Sequence, residues 1–521
     1  MRAVLAEVTD NGNRTRRLPM SGLGTAPIDS LPARIWDRDS SVWGPGDDDP
    51  AERLGWLDLP ETIRGELASV EAFVRDTGAY KDRVVLLGMG GSSLAPEIFA
   101  STFGTRPGYP QLTILDSTHP EQIEAVADAL VGAETLYVVS SKSGTTIETL
   151  ALYSFFRARS PDARNFVAIT DAGTALQELA EAEGFGGVFL AAPDVGGRYS
   201  ALSLFGLVPA ALCGVDLDAL LRHAAAIAAA CRPSSRPAQN PGLVVGQAIG
   251  RLAAFGRDKL TFLTSPGLAL FGDWVEQLIA ESTGKRGAGI VPVVGEPLID
   301  RYGSDRMFVH LRLKGDDSLD ARVDELQAAG EPVVRLDVAG PEELGALMYL
   351  WEFATAVAGS VLGVNAFDQP DVEAAKKAAR AALEAAGDPE WAEDDVDDLF
   401  ADPREGDYAA FLAFAPRTAE RREVLDAARA KIARSSGMAT TAGFGPRYLH
   451  STGQLHKGGP DTVRALVILD PPDDDIGIPG QPYGFARLLR AQAAGDYEAL
   501  KAAGKRVART TWVRFEEWAR S

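Results

Sequence analysis

The sequence predicts an α/β protein with two doubly wound parallel sheets in tandem and a small C-terminal α/β unit. Three observations carry that expectation. From Leu57 onward, short apolar runs alternate with helix-period stretches of about ten to fifteen residues, the pattern of strand–helix–strand units. The pattern restarts after a block of long helices that begins near Tyr199. It is then broken by an acidic stretch, Glu384 to Arg404, that contains Gly387, Pro389 and Pro403 and reads as a linker.

Residues 1–55 are rich in Pro, Gly and Asp and are expected to form an arm, anchored on the body by Trp36 and Trp43. The first α/β unit spans 56–198. Its strands are predicted at Arg83–Met89, Leu112–Asp116, Thr135–Ser140, Phe166–Thr170 and Val188–Ala191, with helices at Ser93–Phe103, Pro120–Leu130, Ile147–Arg157 and Ala175–Glu183. The second unit, 199–385, has strands predicted at Leu260–Thr264, Gly289–Val294, Met307–Leu313 and Val333–Val338. The third, 386–521, has candidate strands at Tyr408–Ala415, Arg464–Leu469 and Val507–Val513. A chain of 521 residues is long for one core, which agrees with several packed units.

The net charge of −21 argues against a nucleic-acid or anionic-membrane partner. An anionic substrate would then depend on a local basic cluster. Cys213 and Cys231 are too few for a disulfide framework and are expected as buried thiols. The N-terminus lacks the apolar core of a signal peptide, and Leu344 to Val364, although nearly all apolar, carries Glu352 and reads as a buried helix rather than a membrane span. A cytoplasmic enzyme is expected.

The chain is organised around Val138 to Thr149, where a buried strand empties through Ser141-Lys-Ser-Gly-Thr-Thr146 into a helix. Such a turn presents free N–H groups and the positive end of a helix dipole, a site for phosphate. Ser141, Ser143, Thr145 and Thr146 add hydroxyls, and Lys142 adds a candidate charge. Gly88-Met-Gly-Gly-Ser92 follows an earlier strand; it fails the dinucleotide spacing because position 93 is Ser, which disfavours a Rossmann oxidoreductase. Gly90 and Gly91 would let backbone approach an anion closely, with Ser92 donating to it. In Asp194-Val-Gly-Gly-Arg-Tyr-Ser200, two glycines, the second Gly197, precede Arg198 and allow tight placement of its guanidinium. Glu281, at the end of a predicted helix, is a general-base candidate.

These segments resemble those of phosphoglucose isomerases. Asp194–Ser200 with the following Ala-Leu-Ser is similar to a signature of that family, and Gly88–Ser92 and Ser141–Thr149 to its sugar-phosphate loops. Glu281-Ser-Thr-Gly-Lys285, Asn365-Ala-Phe-Asp-Gln-Pro-Asp-Val-Glu-Ala-Ala-Lys376 and Leu449-His-Ser-Thr-Gly-Gln454 resemble its catalytic glutamate, lysine and histidine segments. The regions Arg34–Asp39 and His450–Pro460 further resemble the isomerase half of fused transaldolase/phosphoglucose isomerases, although the chain is too short to add a full transaldolase barrel. One departure stands out. Most of the family places the histidine segment between the glutamate and lysine segments, whereas here the order is Glu281, Lys376, His450, and Leu298-Ile-Asp-Arg-Tyr302 stands where the histidine usually follows.

The resemblance implies two sugar-isomerase (SIS) domains, a homodimer and no cofactor, and no His/Cys/Asp cluster in the sequence has metal-ligand spacing, so no metal is expected. It implies interconversion of glucose 6-phosphate and fructose 6-phosphate through a cis-enediolate. Glu281 would move the proton, Arg198 would hold the developing negative oxygen, and His450 with Lys376 would open the ring. Ser92 and Ser141–Thr146 would bind phosphate. Two alternatives share these motifs: an isomerase that also takes mannose 6-phosphate, to be decided by the bulk around Glu281 and Thr283, and a non-catalytic phosphosugar-binding SIS protein, which would have no need of Glu281 together with Arg198. Of the other histidines, His223 and His310 read as structural, while His119 and His456 are outside candidates for the ring-opening role.

Overall fold

A computed structural model describes residues 3–5, 27–384 and 391–521. Its described strands form three sheets. The first strand, β1 (Ala3–Leu5), lies on the edge of the second sheet. The first sheet contains β2 (Arg83–Gly88), β3 (Gln111–Leu115), β4 (Thr135–Ser140), β5 (Phe166–Asp171) and β6 (Gly187–Ala191), in the order β3-β2-β4-β5-β6, all parallel. Every residue of β4 is buried, because helices cover both faces of a parallel sheet and leave no side for water.

The strand order reverses between β2 and β4. Ligands of doubly wound sheets bind in the crevice beyond the carboxyl ends at such a reversal. The two loops singled out from sequence, Gly88–Ser92 and Ser141–Thr146, leave from those two strand ends.

The second sheet adds β7 (Lys259–Thr264), β8 (Val291–Val293), β9 (Arg306–Leu313) and β10 (Val333–Val338), in the order β1-β10-β9-β7-β8. β1 pairs antiparallel with β10, which the sequence reading of the N-terminal arm did not anticipate. The helix Leu344–Leu362 is buried along its whole length and forms the hub of the largest core, packed by Leu217–Ala230, Pro241–Ala254 and Phe271–Thr283. Its apolar length has a purely packing cause. The arm is anchored as expected: the Trp36 indole donates to Cys231 O at 3.0 Å and the Trp43 indole to Ala356 O at 2.8 Å. Both cysteines are free and buried, and burial pushes each thiol up to about 12.

The third sheet contains β11 (Tyr408–Phe414), β12 (Ala439–Phe444), β13 (Val463–Leu469) and β14 (Arg506–Thr511), in the parallel order β12-β11-β13-β14. β12 was missed from sequence: Ala-Thr-Thr-Ala-Gly-Phe is short of large apolar residues, and it gains its strand from parallel pairing with β11. The expected strand through Val513 ends at Thr511, where the helix Trp512–Arg520 begins. The helix Val372–Glu384 precedes the expected boundary at 385 but packs on Phe485–Ala502 of the C-terminal unit. A Cβ on Gly495 would lie 2.7 Å from Ala379 N, so only glycine admits this approach.

Buried ion pairs fasten the third unit onto the other two. Arg447 pairs with Asp116 and Glu97, and Glu97 also pairs with Arg417. Arg429 donates to the Val294 and Gly295 carbonyls at 2.7 Å each. Glu296 accepts from the Thr440 amide at 2.8 Å and pairs with Arg306 at 2.7 Å. The stretch just after β8, from which the expected histidine is missing, is therefore the dock for the C-terminal unit.

Candidate active site

A cavity of about 490 Å³ opens at the carboxyl ends of β2 and β4, closed on its far side by the C-terminal unit. Gly90, Gly91, Ser143, Thr145, Thr146, Gly197, Arg198, Glu281 and His450 all line it, although they come from all three units.

The glycines make this convergence possible. Gly90 has φ +55°, and a Cβ there would lie 2.7 Å from His450 O and 2.8 Å from Gln277 Nε2. A Cβ on Gly91 would lie 2.0 Å from Gly197 O, so the two glycine loops are in backbone contact.

Glu281 sits in the last turn of the helix Phe271–Thr283 with 3% of its surface exposed, and Arg198, 2% exposed, donates to its Oε2 at 3.1 Å. The other terminal nitrogen of the Arg198 guanidinium, Nη2, donates to Ala366 O at 3.0 Å and Asp368 O at 2.9 Å. Gln369 Nε2 donates to the same Glu281 oxygen at 3.3 Å, and Gln277 Nε2 makes a long 3.5 Å contact with it. Burial raises the Glu281 carboxyl above its ordinary range, against the restraining charges of Arg198 and His450.

His450 reaches this cavity within its own chain. Gln277 bridges it to the glutamate, donating to His450 O at 2.7 Å. The imidazole Nε2 lies 3.0 Å from Glu148 Oε1, and Gln492 Nε2 donates to that oxygen at 2.7 Å. A carboxylate accepts only, so Nε2 carries a proton in this tautomer. The rival histidines are occupied elsewhere, outside the cavity lining. His119 Nε2 meets Asp470 O at 3.2 Å. His456 Nδ1 meets the Tyr408 hydroxyl at 2.9 Å and is pushed down to about 3 by burial.

At the hydroxyl-rich turn, Thr146 is the N-cap of the helix Ile147–Arg157 but makes no side-chain cap bond; its Oγ1 meets Ser141 Oγ at 2.9 Å instead. Ser143 Oγ meets Thr145 Oγ1 at 3.1 Å. The helix start therefore keeps its anion-binding character, with hydroxyls around it.

Several of the expected residues lie outside the cavity lining. Lys142 does not line the cavity: its ammonium is paired with Asp171 and donates to Pro193 O at 3.3 Å. Neither Ser92 nor Ser141 belongs to the lining; both are buried, and the Ser141 hydroxyl meets that of Thr146, which does line it. Thr283 is also closed off, donating to Ile279 O at 2.8 Å and accepting from the Ile290 amide at 3.0 Å. The Lys376 side chain lies outside the described residues; its helix, Val372–Glu384, supplies Ala379, Arg380 and Leu383 to the lining.

The sequence reading missed Glu148, Gln277, Gln369, Gln492 and Lys457, all in the lining. Glu148 was legible as the one acid in the organising segment, and Gln277 as the residue one helical turn before Glu281. Gln492, on a C-terminal helix, carries no local signal.

The model of the phosphoglucose isomerase family matches residues 62–289. The chain is 31% identical over 394 residues to a glucose-6-phosphate isomerase of Symbiobacterium thermophilum, covering 64% of this chain and 86% of that protein. It is 30% identical over 432 residues to a probable glucose-6-phosphate isomerase of Natronomonas pharaonis, covering 74% of this chain and 97% of that one. Among solved structures, a hypothetical protein of Thermus thermophilus superposes with a TM-score of 0.57 at 27% identity, over 69% of this chain and 95% of that one. A glucose-6-phosphate isomerase from Chlamydia trachomatis shares the fold at a TM-score of 0.51 and 20% identity, over 71% and 79%. With the expected doubly wound sheets and these relatives, the chain belongs to the phosphoglucose isomerase family.

Proposed function

We propose that this chain interconverts glucose 6-phosphate and fructose 6-phosphate, with Glu281 moving a proton between C2 and C1. The observation that carries this reading is the buried Arg198–Glu281 pair at 3.1 Å on the wall of a cavity that also holds a phosphate-type turn. The donors to Glu281 from Arg198, Gln277 and Gln369 all address Oε2, which leaves Oε1 as the oxygen that takes the proton. The glutamate's raised pKa makes it a stronger base once ionised. A guanidinium offers a fixed charge and hydrogen-bond donors but no transferable proton, so Arg198 stabilises the enediolate oxygen without quenching it.

The Ser143–Thr146 turn holds the phosphate away from the reacting carbons and uses that binding energy for positioning. His450, oriented by Glu148, opens the ring with Lys376 assisting. A non-catalytic phosphosugar binder would have no use for a desolvated base beside a fixed cation. The closed position of Thr283 gives no support to a selectivity role for it toward mannose 6-phosphate. By the family resemblance, we further infer a cytoplasmic homodimer.

The test is a coupled assay of glucose 6-phosphate formation from fructose 6-phosphate, with free sugars and mannose 6-phosphate run beside it. Rapid turnover of the phosphorylated pair is expected, with free glucose and fructose very poor substrates. Thr146→Ala should raise KM more than it lowers kcat, while Lys142→Ala should leave KM nearly unchanged, because its charge is spent on Asp171. Equal turnover of free and phosphorylated sugar would overturn the phosphate assignment.

The ring-opening role has its own test. His450→Ala should slow cyclic substrate far more than the open-chain form, since Glu281 and Arg198 remain. Stopped-flow assays on freshly generated open-chain fructose 6-phosphate would separate the two steps. Equal loss on both forms would reduce His450 to a binding residue.

A further inference from the structure

The loop 365–369 supplies the carbonyls of Ala366 and Asp368 to Arg198 and the side-chain amide of Gln369 to Glu281. It is gripped from two sides. On one, Lys285, four residues beyond Glu281, donates to the Asn365 carbonyl and forms a 2.7 Å ion pair with Asp368, with both side chains buried. On the other lies the N-terminal arm. The Asp47 amide donates to the second oxygen of Asp368 at 3.1 Å, and the Asn365 side chain donates to Asp48 O at 2.8 Å. Trp43 stacks edge-on against Phe367 at 4.9 Å. The arm comes this close only as glycine: a Cβ on Gly46 would lie 2.1 Å from Asp368 Oδ2 and 2.3 Å from Asn365 Nδ2.

Lys285 does not line the cavity. Its charge nevertheless stands among the reactive groups. Burial and the neighbouring Arg198 push the ammonium down to about 7, against the opposing pull of Asp368 and Glu281. His450 is the further titratable group facing Glu281.

We propose that Lys285 is a positioning residue for the isomerase reaction. Together with arm residues 44–48 it clamps the loop 365–369 and thereby sets Arg198 and Glu281 in reactive geometry. This role rests on the isomerase reading above. It also gives the N-terminal arm a task in the active site, although none of the arm's described residues is in the cavity lining.

The test uses the full chain with Lys285→Met, Lys285→Arg and Gly46→Ala. It follows isomerisation kinetics across pH, and hydrogen exchange of the 365–369 amides without substrate. Lys285→Met should lower kcat ~10²-fold, the scale of an ångström-sized misplacement, with KM for fructose 6-phosphate little changed because the Ser143–Thr146 turn is untouched. Loop exchange should accelerate, and the acid limb of the pH profile should move to higher pH as Glu281 loses a nearby positive charge. Lys285→Arg should return that limb toward its original position. Gly46→Ala should accelerate exchange in the same loop and lower kcat with the limb in place, since no charge is lost. The clamp is overturned if Lys285→Met loses activity only in proportion to unfolded protein, with loop exchange and acid limb unchanged. Inactivity of the unmodified protein on sugar phosphates would overturn the isomerase reading instead, while the exchange measurements decide the clamp on their own.

Discussion

Glu281→Gln is expected to lower kcat by at least ~10²-fold while leaving fructose 6-phosphate binding almost intact. The amide keeps the shape and volume of the carboxyl in a site where Arg198, Gln277 and Gln369 already crowd one oxygen. It cannot accept a proton, so the C2–C1 transfer loses its carrier while the phosphate turn stays as it was. Solvent exchange of the substrate C2 hydrogen, followed by NMR in deuterium oxide, should fall in step with kcat. Near-normal exchange in the variant would assign the base elsewhere.

The unmodified enzyme should also show the glutamate in its pH profile. A general base works in its ionised form, and burial raises the pKa of Glu281. The acid limb of kcat/KM is therefore expected above the ordinary carboxylate range, with activity falling as pH falls through it. A limb at or below the ordinary range would mean that solvent reaches Glu281 in the working enzyme.

Arg198→Met should have an effect of similar size by two routes. It removes the fixed charge facing the developing enediolate oxygen, a loss worth ~10²–10³ in kcat for a preorganised donor. It also leaves Glu281 buried without its partner, which costs about 3–5 kcal/mol of stability when one member of a buried pair is cut away. The glutamate then takes up a proton more readily, so the acid limb of the variant should lie at higher pH than that of the unmodified enzyme. Arg198→Lys should restore part of the limb position but little of kcat. A single ammonium cannot reproduce the fork that spans the Glu281 carboxylate and the Ala366 and Asp368 carbonyls. Thermal denaturation beside the kinetics separates the two routes. Arg198→Met with kcat within about tenfold of normal would remove Arg198 from the transition state.

The alternation of apolar runs with helical stretches determined the parallel sheets before any coordinates, because strand and helix periods differ and a buried parallel strand is apolar on both faces. The motif segments likewise pointed to Arg198, Glu281, His450 and the Ser143–Thr146 turn as candidates, since each combines its residue types in a short run, and the cavity lining includes residues from all of them. Relationships between distant segments were not legible. The charge on Lys142 pointed to phosphate until Asp171, on a neighbouring strand, was seen to hold it. Gln492 could not be found from sequence, because its role exists only where a C-terminal helix meets Glu148. The late position of His450 looked like a break in family order. Only the tertiary structure shows how it comes to the cavity: Arg447, three residues before the histidine, is bound by Glu97 and Asp116 of the first unit, and Arg429 and Glu296 dock the third sheet onto the second. A sequence records which side chains can carry charge or accept a proton. Which carboxylate each charge meets, and how far burial shifts its proton, depends on segments hundreds of residues apart, and folding alone brings them together.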